Sequence, residues 1–513
     1  MSGELERGGD VVLGIDLATA GARCVAVDAG TGKVLAFATG PLAAPERLPG
    51  RGRMQAATYA VVALDLVGQV ARQLGGRSTG IRALSVTGTS GTVVPVDATG
   101  VPVGDARLYD DLSGADVAAA HGLPLGSMLA RMTTLLRVPG VRGLVPTVDV
   151  VAAALVGGPV STDTSHALKA GIDLAGLRWP HDMMAALGLR DDIVSPLVHP
   201  GANLGTVTSA AASRLGLPSG VFVVAGMTDG CTAQLSTGAI HPGDSIGVLG
   251  TTLVLKGVAD HDVRSADGAV YSHLSPGGAY WPGGASNSGA GVLLAAFPRL
   301  DAAGFIELDR RAAERGPATV VRYPLTRPGE RFPVADPDLA SLTSGEPVDE
   351  VEAYRAILEG VAFVERLGLE TLAGLGAPTL RHTLAGGATR SAVWNTLRAS
   401  VIGGSGVDLP VVRLPDGRLP EDRLPDVRLP VSGSAIGAAI LAAHGLALTR
   451  DPAAALATTV DRLVAVAVDV VPDRRESEAL EQSYHAFRAL LTRHHTTHPT
   501  TAATPAEGST HHA

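Results

Sequence analysis

The stretch VFVVAGMTDGCTAQLSTG, Val221 to Gly238, joins an apolar run, a short turn with one acid and a small-residue segment. Five apolar residues between Gly220 and Gly226 predict a buried strand, and the composition after Gly230 predicts the start of a helix. The acid in the turn is Asp229, and a carboxylate beside the positive end of a helix favours its ionised form. Asp229 is therefore a candidate general base. Helix capping is the alternative role, and this stretch alone fits both equally.

Length and charge limit the class of protein. A chain of 513 residues is long enough for two large domains or more, with room for a cleft between them. The net charge is -9 and no Lys/Arg-rich run occurs, which argues against a nucleic-acid partner or an anionic membrane surface. We therefore expect a small molecule as the partner.

The cellular compartment is predicted from cysteine content and from the start of the chain. Two cysteines, Cys24 and Cys231, are too few for a disulfide framework, and we interpret Cys231 as a small buried residue. The start lacks the basic residues and long apolar centre of a signal peptide. No stretch approaches the roughly 18 apolar residues of a membrane span. These features predict a cytoplasmic protein.

Two segments predict hairpins with small polar tips. Val11 to Asp16 and Arg23 to Asp28 flank the turn Ala18 to Gly21, and Ser245 to Val258 repeats this plan around a Gly-Thr-Thr tip. Small residues let backbone N–H groups approach phosphate oxygens, and a carboxylate such as Asp16 can hold magnesium through water. The repeat predicts two domains of related build around one polyphosphate. An ordinary hairpin with a solvated Asp16 is the alternative.

Other turns are weaker candidates for a ligand site. A polar turn with Thr89 and Ser90 separates two predicted strands, and Asp111 follows another, although paired acids are more often solvated or capping. Gly386 and Gly387 join a strand to a helix and suit an adenine or ribose lying against bare backbone, with a plain turn as the default. We interpret Lys169 as a surface lysine.

The C-terminal part contains two predicted helices and a proline-rich segment. Val351 to Leu375 has the periodicity of a long helix, and Glu476 to Thr492 that of the last one. Residues 409–430 repeat Arg-Leu-Pro four times, which predicts an extended surface excursion without catalytic role. The histidine-bearing end from residue 494 is predicted to be disordered, and metal binding by it is disfavoured.

The order of these segments resembles the FGGY carbohydrate kinases. The motifs are GIDLATAGAR, TGTSGTVVPVD, LYDD, TDTSHALKAGIDLAGLRWP, AGMTDGCTAQLSTGA, GDSIGVLGTT, GGASNSGAG, GERFPVADP, LAGGATRSAVWNTLRASVIGG and GSAIGAAILAA. They extend from about residue 11 to 445, and their joint order makes the resemblance specific. It implies an α/β architecture of two domains with the ribonuclease-H/actin-like fold, closing over ATP, Mg²⁺ and a sugar.

The resemblance also implies roles for particular residues. Asp229 falls at the catalytic base and at the metal, and Asp16 at the magnesium-associated acid, through water. The implied sugar-binding positions are Thr89, Ser90, Asp111 and Asp229. The implied nucleotide-binding positions are Asp16, Thr19, Gly250, Thr251, Thr252, Gly386 and Gly387.

The resemblance divides the chain into segments. Residues 1–243 form the N-terminal domain with the sugar site, first hairpin and Asp229. Residues 244–447 form the C-terminal domain with the second hairpin and adenosine site, interrupted by the excursion 409–430. A helical segment, 448–493, and a disordered tail, 494–513, follow. A homodimer is left open.

GTSGT, the DTSHALK segment and GERFP resemble the D-ribulokinase and xylulokinase-like branch. The implied reaction is ATP-dependent phosphorylation of the terminal hydroxyl of a ketopentose, with D-ribulose ahead of D-xylulose. One departure is that Ala18 and Ala20 replace the family's usual glycine and hydroxyl residue. If position 18 requires a positive φ, alanine costs on the order of 1 kcal/mol, which predicts weaker ATP binding. The alternative is therefore an actin-like nucleotide-binding protein, or an inactive kinase relative, without sugar phosphorylation.

Overall fold

The computed structural model describes residues 9–19, 21–403, 411–413, 433–464 and 468–497. Its elements form two sheets, each with helices packed against it. The strands up to residue 224 are β1 (Val11–Leu17), β2 (Gly21–Asp28), β3 (Val34–Pro41), β4 (Glu46–Leu48), β5 (Arg51–Met54), β6 (Ile81–Gly88), β7 (Val94–Val96), β8 (Ala106–Arg107), β9 (Gly143–Val145), β10 (Thr162–Asp163), β11 (Leu197–Val198), β12 (Asn203–Thr206) and β13 (Phe222–Val224). The helices up to residue 235 are α1 (Ala57–Leu74), α2 (Ala115–Ala120), α3 (Met128–Leu135), α4 (Thr147–Val156), α5 (Thr164–Ala167), α6 (His181–Ala186), α7 (Ser209–Leu215) and α8 (Asp229–Leu235).

The rest of the described chain builds the second sheet and its helices. Its strands are β14 (Asp244–Leu249), β15 (Leu253–Gly257), β16 (Tyr271–Leu274), β17 (Tyr280–Ser286), β18 (Arg322–Tyr323), β19 (Leu342–Thr343), β20 (Arg381–Ala385), β21 (Val411–Arg413) and β22 (Val468–Asp469). Its helices are α9 (Gly291–Ala296), α10 (Ala302–Arg315), α11 (Glu350–Gly374), α12 (Ala392–Gly403), α13 (Gly433–Arg450), α14 (Leu456–Leu463) and α15 (Arg474–Thr497).

The two large sheets share one topology. The first has the order β12-β13-β6-β1-β2-β3, and the second contains β22-β21-β20-β14-β15-β17, with β16 added at the edge. In each, a hairpin (β1–β2 or β14–β15) pairs its first strand in parallel with a strand much later in the chain, β6 or β20. The weak repeat predicted from the two hairpins is confirmed at the level of whole sheets.

The two lobes built on these sheets interlock through α13. This helix lies in the second half of the sequence, yet it packs against β1, β6 and α8 of the first lobe. Small side chains make the close approach feasible, since a Cβ on Gly14 of β1 would lie 1.9 Å from the carbonyl oxygen of Ala435. The predicted division at residue 243 falls just before β14, and the domain assignment stays a prediction.

The predicted excursion at 409–430 is wrong for the part that the structure describes. Residues 411–413 form β21, which lies between β20 and β22 in the second sheet. These three residues contain no proline, so their backbone can pair with both neighbouring strands. The rest of the excursion lies outside the described residues.

The C-terminal helix is longer than predicted. α15 extends through Thr497, four residues into the predicted tail, and its buried face packs in the second lobe with α11 and α12. His494 and His495 lie on this helix, with their Nε2 atoms 3.3 and 3.5 Å from Asp336 Oδ2. The prediction of disorder is therefore wrong for 494–497, and residues beyond 497 lie outside the described part. Within the described residues, no helix is long and apolar enough to cross a membrane.

Candidate active site

Asp229 lies where two parallel strands of the first sheet end side by side. β13 pairs with β6, and just beyond both strands Thr228 bridges Gly88. Asp229 is the first residue of α8, as the strand, turn and helix pattern predicts. Its Oδ1 accepts the backbone N–H of Gly230 at 2.6 Å, and no hydrogen bond to its Oδ2 occurs among the described residues. The carboxylate thus combines the helix-start contact with an oxygen that a substrate hydroxyl can approach.

Hydroxyl groups fix the backbone around Asp229. Thr232 Oγ1 and Ser434 Oγ both donate to the Asp229 carbonyl oxygen, each at 3.1 Å. Thr87 Oγ1 donates to the Met227 carbonyl oxygen at 2.6 Å. Ser434 belongs to α13, so the second half of the chain helps to position the candidate base.

The charge on Asp229 is controlled by groups from several elements. Burial raises the pKa of this carboxyl above its ordinary value, and the Gly230 N–H opposes that rise. The Asp16 carboxylate raises the pKa further, whereas His166 and Lys256 lower it. A raised pKa makes the carboxylate a better proton acceptor, as a general base requires.

The TDTSH segment, Thr162 to His166, supports the turn before Asp229. Thr228 N–H donates to Ser165 Oγ at 2.9 Å, and Ser165 Oγ donates to Asp163 Oδ1 at 2.6 Å. The other Asp163 oxygen lies 2.5 Å from His166 Nδ1. Asp163, Ser165 and His166 are all at most 2% exposed, so this is a buried support rather than a surface contact.

The polar turn that is predicted to contact the sugar directly follows β6. We name it the sugar turn (Thr89 to Gly91). Lys169 Nζ donates to the Ser90 carbonyl oxygen at 3.4 Å and lies 5.9 Å from the centre of the Tyr109 ring. Arg131 Nη2 donates to the Gly91 carbonyl oxygen at 2.9 Å. Lys169 is exposed, as interpreted from the sequence, and it lies beside the sugar turn through a contact that spans 79 residues.

Asp111 is joined to the sugar turn through Arg131. Arg131 Nη1 donates to the Asp111 carbonyl oxygen at 3.1 Å, and the Asp111 carboxylate accepts N–H groups from Gly52 and Ser113, each at 2.9 Å. Asp111 is 1% exposed. Its carboxylate thus holds its own loop together, and a sugar contact by Asp111 stays a prediction.

The first hairpin brings Asp16 to the same edge of the sheet. Asp16 pairs in register with Thr87 on β6 and with Arg23 on β2, and Arg23 Nη1 lies 2.9 Å from Asp16 Oδ2. Thr19 lies in the turn. Ala18 donates its N–H to the Gly21 carbonyl oxygen at 3.0 Å, and its φ is not positive, so alanine is unstrained there. The predicted cost at position 18 is therefore absent, and Ala20 lies outside the described residues.

The second hairpin and the glycine pair lie together in the second lobe. The tip Gly250 to Thr252 follows β14, and its carbonyl oxygens at 250 and 251 accept N–H groups from Ala290 and Gly291. Gly386 has a φ of 89°, and a Cβ there would lie 2.5 Å from the Leu249 carbonyl oxygen at the base of the tip. Gly387 begins the 3-10 turn that leads into α12. The structure thus brings Gly250, Thr251 and Thr252 beside Gly386 and Gly387, and their roles toward a nucleotide stay predictions.

Lys256 is a buried cation that the pattern analysis missed. It lies on β15, is 7% exposed, and its Nζ donates to Cys231 Sγ at 3.0 Å. The sequence contains only three lysines, and two of them, Lys169 and Lys256, interact electrostatically with Asp229. The one sequence signal for Lys169 and Lys256 was that lysine is rare in this chain whereas arginine is common.

The carboxylates of Asp16 and Asp229 fit a magnesium ion. Each is an oxygen ligand of the type that Mg²⁺ prefers, and Asp16 raises the pKa of Asp229 because two like charges lie near one another. A divalent cation relieves that repulsion. Proteins usually hold Mg²⁺ through one or two carboxylates together with substrate phosphates.

Comparisons with known proteins find similarity to one family of kinases over part of the chain. Residues 246–418 match the model of the FGGY family of carbohydrate kinases, C-terminal domain. A protein named ribulokinase from Mycolicibacterium smegmatis is 30% identical over 234 residues, which cover 42% of this chain and 41% of that protein. A protein named xylulose kinase from Staphylococcus epidermidis is 25% identical over 317 residues, which cover 61% and 59%. The chain thus spans less than two thirds of the length of these two relatives.

A solved structure extends the similarity to the whole fold. A structure described as a xyloylose kinase from Brucella ovis matches with a TM-score of 0.82 and 21% identity, covering 95% of this chain and all of that one. At this identity the match establishes the fold alone. Residues 246–418 thus match the C-terminal domain of the FGGY carbohydrate kinases, and the two matched sheets have the two-domain, ribonuclease-H/actin-like fold of the similar solved structure.

Proposed function

We propose that this protein catalyses ATP-dependent phosphorylation of the terminal hydroxyl of a ketopentose, with D-ribulose as the first choice and D-xylulose as the second. One observation carries the proposal: Asp229 interacts electrostatically with Asp16 of the first hairpin, Lys256 of the second lobe and Lys169 beside the sugar turn. Charged groups from both lobes act on the Asp229 carboxylate. We therefore infer that a sugar and a polyphosphate would meet beside it.

The proposed reaction is in-line phosphoryl transfer. Asp229 orients the terminal hydroxyl and accepts its proton, the hydroxyl oxygen bonds to the γ-phosphorus of ATP, and the bond from that phosphorus to the bridging oxygen of ADP breaks. Backbone N–H groups at the two hairpin tips and Lys256 offset charge on the moving phosphoryl group. Because the elements come from two lobes, we expect the lobes to close when the sugar binds.

Magnesium is assigned to Asp16, through water, and to Asp229. When bound there it would neutralise phosphate charge. The proposed nucleotide contacts are Thr19 in the first hairpin, the tip Gly250 to Thr252, and the Gly386–Gly387 pair. The proposed sugar contacts are Thr89, Ser90 and Asp111. A cytoplasmic location and a homodimer stay predictions.

Coupled measurement of ADP release with D-ribulose, D-xylulose and other ketopentoses tests the proposal. We expect sugar-dependent ADP release in the native protein and a loss of at least about 100-fold in kcat for Asp229→Asn, because general base catalysis contributes roughly 10²- to 10⁴-fold. Asp65→Asn, on the exposed face of α1, is the matched control. Undiminished turnover in Asp229→Asn would reject Asp229 as the base.

The alternative is an actin-like nucleotide-binding protein without sugar chemistry. It remains a candidate because Ala18 and Ala20 depart from the family's first hairpin. The same assay separates the two. ATP binding without any sugar-dependent ADP release favours the alternative.

A further inference from the structure

Lys256 is a buried lysine whose side chain crosses from the second lobe to the first. It lies on β15 opposite Gly283 of β17, and it is 7% exposed. A Cβ on Gly283 would lie 2.9 Å from Lys256 Cγ, so the glycine leaves the space that the lysine stem needs. At the other end of the stem, Nζ lies 3.0 Å from Cys231 Sγ of α8 and would lie 3.9 Å from a Cβ on Gly230. The ammonium group therefore lies beside the residue that follows Asp229.

The hydrogen bonding of this ammonium group is incomplete. It carries three N–H donors, and the Cys231 sulfur is the only acceptor that the described residues provide. Sulfur accepts weakly, and no described carboxylate forms an ion pair with Lys256, so its charge is not neutralised. Buried charges are normally paired, so this cation indicates a place for an anionic ligand. A phosphate oxygen carries the opposite charge and accepts strongly.

The Cys231 sulfur also joins this cation to the turn before the candidate base. Thr228 Oγ1 donates to Sγ at 3.3 Å, and Thr228 directly precedes Asp229. Cys231 is 0% exposed, so both contacts lie inside the protein. One sulfur atom therefore fixes the position of Lys256 relative to the base, although the two residues come from different lobes. Phosphoryl transfer requires such alignment, because the attacking oxygen and the phosphorus must meet in line.

We propose that Cys231 is a positioning residue, whose sulfur holds the Lys256 ammonium group against the γ-phosphate of bound ATP. The inference rests on the proposed function and adds the contact that fixes Lys256. A weak acceptor suits this task, since it orients the ammonium group without cancelling its charge. A carboxylate in the same place would neutralise the cation and repel the phosphate.

Substitutions at Cys231 and Lys256 test this contact. Cys231→Ala removes the acceptor, Cys231→Ser replaces it with a hydroxyl oxygen, and Lys256→Met removes the charge. Cys24→Ala removes the other buried thiol, on β2, and is the matched control. We measure kcat and KM with D-ribulose and D-xylulose at a pH where Asp229 is ionised in every variant. Calorimetry measures the Kd of MgATP and of MgADP, and thermal unfolding measures stability.

The single variants should lose activity and the preference for ATP over ADP. We expect Cys231→Ala to lower kcat roughly 10- to 100-fold, because a small displacement of a catalytic group costs that much, while KM for the sugar stays near its native value. The preference for MgATP over MgADP should fall roughly 10-fold, as expected for the loss of one hydrogen bond to a charged group. Cys231→Ser should recover part of both losses, and Cys24→Ala should change neither.

The double variant decides whether Cys231 acts through Lys256. Lys256→Met should lower kcat and the MgATP preference at least as much as Cys231→Ala, and adding Cys231→Ala to it should cause no further loss. A sulfur that only fills space gives losses that add in the double variant. Additive losses overturn the inference, as do native kcat and native nucleotide preference in Cys231→Ala. If Cys231→Ala does not fold, Cys231→Val keeps the bulk without the acceptor and replaces it in the same comparison.

The inference and the proposed function can fail separately. If the native protein phosphorylates a ketopentose and Asp229→Asn does not, but the losses of Cys231→Ala and Lys256→Met add, only the inference is wrong. If no ketopentose is phosphorylated, calorimetry still decides. A MgATP preference that both single variants weaken, and that the double variant weakens no further, supports the inference while the proposed function fails. Equal binding of MgATP and MgADP by the native protein, or binding of neither, overturns the inference.

Discussion

Thr228 donates its backbone N–H to Ser165 Oγ at 2.9 Å, although 63 residues separate them. Both residues are buried, and the contact holds the turn from which α8 and Asp229 begin. The same serine hydroxyl donates a hydrogen bond to Asp163, which also orients His166. One buried hydroxyl thus connects the backbone beside the candidate base to the buried Asp163–His166 pair.

Ser165→Ala should lower both stability and activity. The substitution leaves the buried Thr228 N–H and one Asp163 oxygen without this partner, which costs about 1–3 kcal/mol of unfolding free energy. Because the turn before Asp229 loosens, we expect kcat to fall more than KM rises. Urea unfolding and steady-state kinetics measure the two effects. Ser161→Ala, at a partly exposed serine nearby, should change stability by less than about 0.5 kcal/mol. Equal behaviour of the two variants would remove the support that we assign to Ser165.

Lys256→Met should move the acid limb of the pH profile of kcat/KM to higher pH. Burial raises the pKa of Asp229, and the Lys256 ammonium is among the groups that lower it. Removing that cation raises the pKa, so the base becomes protonated at a higher pH and activity is lost earlier as the pH falls. Lys33→Met, at an exposed lysine, should leave the limb in place. A limb that stays in place or moves to lower pH in Lys256→Met contradicts the assigned interaction.

The features predicted from sequence are those that neighbouring residues specify. The first hairpin, β13 and α8 around Asp229, and the Gly386 turn each lie within one short segment, so alternation, a helix-start composition or a glycine reveals them. The order of such segments along the chain then carries the resemblance to the FGGY kinases, whose C-terminal domain model matches residues 246–418. In the second sheet, even β21 becomes visible only when its two partner strands are known.

The contacts that complete the candidate site join distant parts of the chain. Lys256 reaches Cys231, Ser434 reaches Asp229 and Arg131 reaches Gly91, and no local pattern encodes such pairs. Lys169 is exposed, as an isolated lysine usually is, and its contact with Ser90 also joins distant residues. α13 has small residues throughout, so its periodicity does not indicate which lobe it packs against.

Gly437→Ala should destabilise the protein and disturb α8. A Cβ at Gly437 in α13 would lie 1.8 Å from the Thr232 carbonyl oxygen in α8, so one helix must shift. Overpacking of this kind costs about 1–3 kcal/mol, and kcat should fall because α8 carries Asp229. Gly374→Ala is the matched control, because it lies at the end of α11 with nothing within 4 Å of the added Cβ. Thermal unfolding should show a loss for Gly437→Ala and a small gain for the control. Unchanged stability in Gly437→Ala would contradict the close packing of α13 on α8.

Arg398→Met should destabilise the protein, because Arg398 forms a buried ion pair and also contacts β14, the strand that leads to the tip of the second hairpin. Arg398 Nη2 lies 2.6 Å from Glu365 Oε1 and donates to the Gly247 carbonyl oxygen on β14 at 2.9 Å, and both charged side chains are fully buried. Burial acts against ionisation of Glu365, yet the Arg398 guanidinium outweighs it and holds the pKa at about 2. Without that cation, Glu365 is a buried charge with its main partner gone, which costs about 3–5 kcal/mol.

The pH dependence of that loss follows from the two pKa values. In the native protein, a pKa below the ordinary 4.5 contributes stability that is complete above pH 4.5 and is lost as the pH falls toward 2. In Arg398→Met, burial raises the pKa of Glu365, so protonation removes the unpaired charge. The difference in unfolding free energy between native protein and variant should therefore be largest near pH 7 and shrink toward pH 4, as urea unfolding at several pH values measures. Arg398→Met combined with Glu365→Gln should recover part of the loss at pH 7, and Arg310→Met, in an exposed pair on α10, should cost less than about 1 kcal/mol. A deficit independent of pH would mean that lost packing, rather than the unpaired carboxylate, causes the instability.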